Sequence, residues 1–430
     1  MLRLNTRDPG FAQAFRRLVR DRRESDADVA RDVQIILDDV RNRGDDALVE
    51  LTAKFDGHTL AADEDWRISA EACREAFDAL KPDLRAALEL AAQRIRAYHE
   101  AQRPADRDYV DDTGVRLGAV WRAVDAAGLY VPGGRAAYPS SLLMNAIPAR
   151  VAGVERLVVV TPTPKGLVNP LVLAAAHLAG VDEVWRVGGA QAIGALAFGT
   201  DRIAPVDVIT GPGNAWVAEA KRQLFGVVGI DMVAGPSEIL VIADGRNDPA
   251  WIAADLLSQA EHDPAAQAIL ITDDPLFADT VADQVGVELA LLPTARVASE
   301  SWNTHGVIIE VASLDEAPAL ANALAAEHVE IAVDEPEALF RAIRHAGSIF
   351  LGRYTPEAVG DYLAGPNHVL PTGRRARFAS GLSVLDFMKR TSFIQASDAA
   401  LHAIGEAAIA LAEAEGLPAH ARSIAVRLGQ

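Results

Sequence analysis

Apolar residues recur at helical spacing among charged ones over 28–55 and again over 80–102. That periodicity predicts amphipathic helices, and the chain reads as helical and charged up to about residue 110. No chemistry is visible in that stretch. From about residue 115 the pattern changes. Short apolar runs of strand length fall at 128–131, 156–161, 183–187, 206–209, 227–233, 239–243, 268–272 and 306–311. Ala-rich helical patterns lie between or after them, at 145–152, 167–179, 190–198, 215–224, 249–261 and 314–326. Strand and helix in alternation predict mostly parallel sheets covered by helices, and the number of strands implies two such lobes. From about 384 to 430 the pattern is helical again, with 398–414 strongly Ala-rich. No internal repeat or low-complexity tract interrupts this order.

Composition narrows the class. A chain of 430 residues is long for one core. A formal net charge of -19 repels phosphate backbones and anionic membrane surfaces. Nucleic acid and membrane are therefore not expected partners. The N-terminal residues lack an apolar run of signal-peptide length. The longest apolar stretch, 171–181, is interrupted by His177 and is too short to span a bilayer. A soluble, cytoplasmic protein is expected. The single cysteine, Cys73, excludes an intrachain disulfide and sits in a plain helical pattern. An inert thiol is expected there, not a nucleophile.

Three Gly-Pro turns carry polar residues after apolar runs: Gly211-Pro-Gly-Asn214, Gly235-Pro-Ser-Glu238 and Gly365-Pro-Asn-His368. Ligands of open α/β sheets bind outside the carboxyl ends of strands, so Asn214, Ser237 and His368 are candidates to converge on one site. Functionless surface turns have the same composition. The glycine-rich stretch Val187-Gly-Gly-Ala-Gln191 reads as strand, tight turn and helix. Such a helix N-terminus can hold a phosphate. There is no G-x-G-x-x-G, and a tight turn needs glycine anyway. Tyr130 ends a predicted strand, where a ring can pack on an adenine or nicotinamide or simply fill the core.

Among ten histidines, six have no partner pattern. Gln259 and His262, three apart before Pro264, share one helix face at its last turn, which is half of a metal site. Glu327 and His328 are an adjacent acid and imidazole at an element boundary, either general acid/base groups or a solvated loop pair. Neighbours in a strand point to opposite faces, so joint action needs a bend. Asp361 precedes the Gly-Pro-Asn-His turn, and Glu415 and His420 follow the Ala-rich helix. Two histidines, a carboxylate and an amide oxygen would suit zinc, manganese or cobalt, but spacing alone does not join them.

Several segments occur together in order: 133–148, 187–193, 210–214, 234–238, 258–264 and 354–371. With them the chain resembles the histidinol dehydrogenase family over nearly its whole length. The resemblance implies an α/β fold of two incomplete Rossmann-like lobes with helical dimerisation segments at both ends. It implies a helical segment at 1–25, a catalytic zinc lobe from 26–129 with 238–381, an NAD lobe at 130–237, and a helical dimerisation segment at 382–430. It further implies oxidation of L-histidinol through L-histidinal to L-histidine with two NAD, in histidine biosynthesis. Gln259, His262, Asp361 and His420 match zinc ligands, one ion per subunit. Glu327 and His328 match the catalytic pair. Tyr130, Gln191 and Asn214 match NAD contacts. Ser237, His368 and Glu415 match substrate contacts, and substrate also approaches Gln259, His262, His328, Asp361 and His420. A homodimer is implied, with Glu415 and His420 reaching into the partner's site. One departure stands out: Leu324-Ala-Ala326 replaces a frequent Tyr-Ala-Pro and is expected to free the backbone before Glu327. The rival readings are a relative acting on another alcohol, a zinc hydrolase, and a non-catalytic paralogue.

Overall fold

The computed structural model describes residues 1–21, 27–133, 138–233 and 235–430. Residues 134–137 of the 133–148 segment, and Ala234 of the 234–238 segment, lie outside the described residues. Two six-stranded sheets carry the fold, with a three-stranded antiparallel sheet beside them.

The first sheet runs Leu2–Asn5, Val307–Glu310, Gln267–Thr272, Glu238–Ala243, His328–Ala332, Ser348–Leu351, parallel throughout. Its central strand Glu238–Ala243 is buried at every position. That continuous apolar run is what helices on both faces require. Leu240 and Ile242 pack on one face, while Ile239 and Val241 pack on the other. The second sheet runs Arg67–Ile68, Glu183–Trp185, Arg156–Val160, Ala126–Tyr130, Val208–Thr210, Gly229–Ile230. It is parallel except for its first edge strand. The third sheet joins Met388–Gln395, Arg116–Ala123 and Arg107–Val110.

The two-lobe α/β expectation holds, but the segments distribute differently. Of residues 26–129, expected with the catalytic lobe, the helices within 27–100 pack instead on the second sheet, and Arg107–Val110 and Arg116–Ala123 are strands of the third. Val33, Leu37 and Leu48 share a core with Val158 and Val160, and Leu88 and Ile95 share one with Leu157 and Val159. Helical periodicity marks an apolar face without saying which sheet that face covers. The run over 28–55 is two helices, Ala27–Arg43 and Asp45–Asp56, broken at Gly44, whose φ of 54° glycine alone adopts freely. The segment 1–25 is not simply helical. Leu2–Asn5 is an edge strand of the first sheet and Phe11–Arg20 packs beneath it through Leu18. The segment 382–430 likewise begins with the strand Met388–Gln395 before its helices Asp398–Ala414 and Pro418–Ala425. That strand is mostly exposed on both faces, so it lacks the alternation that would reveal it.

Residues 231–233 leave the carboxyl end of Gly229–Ile230, and residues 235–237 enter the amino end of Glu238–Ala243. This connection sets the carboxyl edge of the second sheet toward the amino edge of the first. Ser237 and His328 therefore sit at amino ends of strands, and the expectation that Asn214, Ser237 and His368 all gather at carboxyl ends is corrected accordingly.

Candidate functional site

Glu327 immediately precedes the strand His328–Ala332, and both side chains are buried. The solvated-loop alternative is thereby removed. Glu327 lies outside the strand and so escapes its alternation, and two residues earlier Ala325 adopts the left-handed conformation at φ 46°, ψ 51°. Its N–H is bonded to Ala321 O at 2.7 Å, and Ala326 O accepts from Gly347 N at 3.1 Å. The backbone before Glu327 is thus pinned, contrary to the expectation from the missing proline. A branched side chain is poorly tolerated in this conformation and has no room at a fully buried position. Ala325→Val is expected to destabilise by about 2–3 kcal/mol, read from the urea midpoint.

One residue holds the pair. The Glu238 N–H donates to Glu327 Oε2 at 3.0 Å, and His328 Nδ1 lies 3.2 Å from Glu238 O. A carbonyl only accepts, so Nδ1 carries the proton and Nε2 keeps its lone pair. Arg374, buried and paired with Glu238 Oε1 at 2.9 Å, anchors Glu238 in turn. Glu327 Oε2 stands 3.8 Å from His328 Nδ1. Burial pushes the Glu327 carboxyl well above its usual value, and the charges of Glu238, Asp361 and Glu357 add to this. Burial pushes the His328 imidazole down to about 4, so it is neutral at working pH.

Around His328 Nε2 lies a polar cluster. Glu357 Oε1 is 3.6 Å away, and His328, Glu357 and Asp361 offer ligand atoms within 4.8 Å of one another. Glu357 and Asp361 are one turn apart on the helix Glu357–Tyr362. His368 Nδ1 is 3.5 Å from Asp361 Oδ1, and His368 Nε2 is 3.0 Å from Ser141 Oγ. Burial alone would raise the Asp361 carboxyl, but the His368 hydrogen bond and the neighbouring imidazoles of His368, His328 and His262 outweigh it and hold it low. Burial and the Asp361 charge push Glu357 up to about 8.

The helix Pro249–Ala260 brings the other half. Ser258 Oγ donates to Glu357 Oε2 at 3.1 Å. Gln259 Nε2 and His262 Nδ1 are 3.1 Å apart, while Gln259 Oε1 and Glu357 Oε1 are buried without a hydrogen-bond partner. Orphaned buried oxygens beside imidazoles fit a divalent cation or a cationic ligand group. A cavity of about 250 Å³ opens here, lined by His328, Phe350, Asp361, Asn367 and His368 among others.

Tyr130, Gln191 and Asn214 lie at the carboxyl edge of the second sheet, and each has a structural task. The buried Tyr130 hydroxyl accepts from Gly189 N at 3.1 Å, and burial pushes it up to about 12, so it stays neutral. Gln191 is buried over Gly189. Asn214 Oδ1 accepts from the N–H groups of Trp216 and Val217, both at 3.1 Å. Gly188 offers the helix Gly189–Phe198 no side-chain cap, and the first amide of that helix, Gly189 N–H, is taken by Tyr130.

Ser237 is half-buried and adjoins Glu238. Glu415, in the turn after Asp398–Ala414, and His420, on Pro418–Ala425, are exposed and lie outside the His328 group. Ser141, Glu238, Glu357 and Arg374 escaped the sequence reading. Only Glu357 carried a signal, its four-residue spacing from Asp361. Cys73 is buried and burial raises its thiol, as an inert cysteine requires.

A model of the histidinol dehydrogenase family matches residues 19–428. Histidinol dehydrogenase from Zymomonas mobilis is 61% identical over 430 residues, covering 100% of both chains. The Rhodospirillum rubrum histidinol dehydrogenase is also 61% identical, covering 100% of this chain and 99% of its own. The crystal structure of histidinol dehydrogenase from Elizabethkingia anophelis superposes with a TM-score of 0.94 at 35% identity, covering 100% of this chain and 98% of that one. With the paired acid and imidazole, the polar cluster and the facing glycine turns already in place, agreement over the full length in both sequence and fold means that this chain belongs to the histidinol dehydrogenase family.

Proposed function

We propose that this chain oxidises the primary alcohol of L-histidinol to the aldehyde and then to the carboxylate of L-histidine. The observation that carries the reading is the buried Glu327–His328 pair held beside Gln259, His262 and Asp361, with the Gln259 carbonyl oxygen left unpartnered. Zinc, one per subunit, would be held by Gln259, His262 and Asp361, with His420 of the partner subunit as the fourth ligand. Bound there, it supplies a Lewis acid and an anchor for the substrate's imidazole and amine nitrogens. NAD, held against Tyr130, Gln191 and Asn214, supplies the hydride acceptor for each oxidation.

The chain's own residues handle the protons. His328 Nε2, unprotonated and facing the cavity, takes the hydroxyl proton of the alcohol. Ser237 and His368 position the substrate, and Glu415 reaches in from the partner. In the second step hydride must leave a tetrahedral carbon, so water adds to the aldehyde first. Glu327 takes the proton of that water as general base. The aldehyde stays bound because both steps use the same enclosed site.

This assignment fixes the sign of the pH response. A base must be unprotonated to act, and Glu327 titrates well above the usual carboxylate range when the site is empty. The rate of histidinal oxidation is expected to rise with pH along a limb displaced to the alkaline side of an ordinary glutamate. His328, pushed down to about 4, adds no limb near neutrality. A kcat/KM profile for histidinal checks this.

The direct test is NADH formation by purified protein with L-histidinol and NAD, before and after chelation. About two NADH per histidinol, lost with the metal and restored by zinc, is the expected result. Activity on a different alcohol alone would move the substrate within the family. NADH from no alcohol would favour the hydrolase or non-catalytic reading. Exposure of Glu415 and His420 in their own chain supports a homodimer whose sites are shared. Among the described residues no helix is long and apolar enough to cross a membrane, and we place the enzyme in the cytoplasm.

A further inference from the structure

The second sheet contains a buried ion pair that the chemistry above does not use. Lys221, on the helix Ala215–Leu224, and Asp231, on the connection between the sheets, are paired with side chains 2% and 1% exposed. Both close on a single residue. Lys221 Nζ donates to Gly211 O at 3.0 Å, and Gly211 N donates to Asp231 Oδ2 at 2.8 Å. Met232 N donates to the other Asp231 oxygen at 2.6 Å. Thus the N–H and the C=O of Gly211 are gripped from opposite sides by the two members of one pair.

Gly211 follows the strand Val208–Thr210 and opens the turn that ends at Asn214. Its φ of 112° is a glycine conformation, and a Cβ there would lie 2.2 Å from Tyr130 O. The clamp therefore fixes the backbone between two of the residues assigned to NAD. Asp231 also begins the connection to Glu238, whose backbone holds Glu327 and His328. A surface turn needs no such anchor, because water satisfies its backbone. Burying two charges is costly unless both are fully bonded, and here the bonds converge on a turn assigned above to the nucleotide.

We propose that Lys221 and Asp231 are positioning residues for the nucleotide, holding the Gly211–Asn214 turn in its binding conformation without touching the reacting atoms. The inference rests on the assignment of Tyr130 and Asn214 to NAD.

The test is calorimetric binding of NAD and, separately, of L-histidinol to the zinc-loaded protein, with no turnover. Two variants are compared with the parent. Lys221→Met/Asp231→Leu replaces the pair by apolar groups, which avoids leaving one charge buried alone. Lys221→Arg keeps the pair charged, so the fold persists, but its planar fork cannot reproduce the ammonium's bond to Gly211 O. In whichever variant folds, the NAD Kd is expected to weaken about tenfold or more while the histidinol Kd stays within about twofold. An unchanged NAD Kd, or a parallel loss for both ligands, overturns the proposal. Asn214→Ala is measured alongside. If it weakens NAD binding while the clamp variants do not, the inference falls and the nucleotide site stands. If it leaves NAD binding intact, the site assignment falls and the inference with it.

Discussion

Glu327→Gln is expected to slow histidinal oxidation by about 10²- to 10⁴-fold, the usual contribution of a positioned general base, while histidinol oxidation to the aldehyde stays within about tenfold of the parent. The glutamine oxygen can still accept from Glu238 N–H, so the side chain keeps the anchor seen at 3.0 Å. What disappears is the ability to take a proton from water, which only the second oxidation needs. His328→Asn is expected to depress both steps by a comparable factor, because the Nε2 lone pair serves each of them. Single-turnover NADH formation started from histidinol and from histidinal separates the two. Equal losses in both steps for Glu327→Gln would sink the division of labour, and normal alcohol oxidation by His328→Asn would remove its role as base.

The geometry accounts for how adjacent residues would divide the proposed work. Glu327 is raised far above its usual range by burial and by three neighbouring carboxylates, whereas His328 is driven down by the same burial. A cationic substrate amine and a divalent ion beside this cluster would lower the Glu327 carboxyl again by opposite charge. The base would then become competent only when the site is filled. That coupling would keep a reactive group quiet in the empty enzyme.

Much of this was legible in the residues. The alternation of short apolar runs with Ala-rich helices is a direct consequence of burying a parallel sheet on both faces, and the helices Ala215–Leu224 and Asp398–Ala414 fall where the pattern places them. The strands at the margins were not legible. Leu2–Asn5 is four residues long, and Met388–Gln395 is mostly exposed, so neither shows a usable period. The partner of residues 27–129 was equally hidden, since an amphipathic face is satisfied by either sheet. At the site, Gln259 with His262 declared itself by helical spacing, and Glu327 with His328 by adjacency. Glu238 did not, because its contribution comes from its backbone, and any residue type offers the same N–H and C=O. Arg374 was hidden too, since its tie to the Glu327–His328 pair runs through Glu238, 136 positions away.

The C-terminal segment yields the other large effect. His420→Ala is expected to abolish turnover, because the zinc would lose one of four ligands, and His328→Asn removes the base. If His420 acts in its own chain, mixing the two inactive proteins restores nothing. If it acts across a two-fold dimer, a mixed dimer contains one site with an intact His328 and an intact His420 from the partner. Random reassortment of equal amounts makes half of the dimers mixed, and half of their sites whole, so about a quarter of the parent activity returns. His420 is exposed in its own chain and lies outside the His328, Glu357 and Asp361 group, which favours the second outcome. Activity is measured after the two variants are unfolded together, refolded in the presence of zinc, and compared with each refolded alone. Full recovery is not expected, since the second site of each mixed dimer carries both substitutions. Recovery near zero, with size analysis showing that mixed dimers formed, would place His420 in its own chain and require another fourth ligand. Glu357, already 3.6 Å from His328 with one oxygen unpartnered, would then be the first to examine.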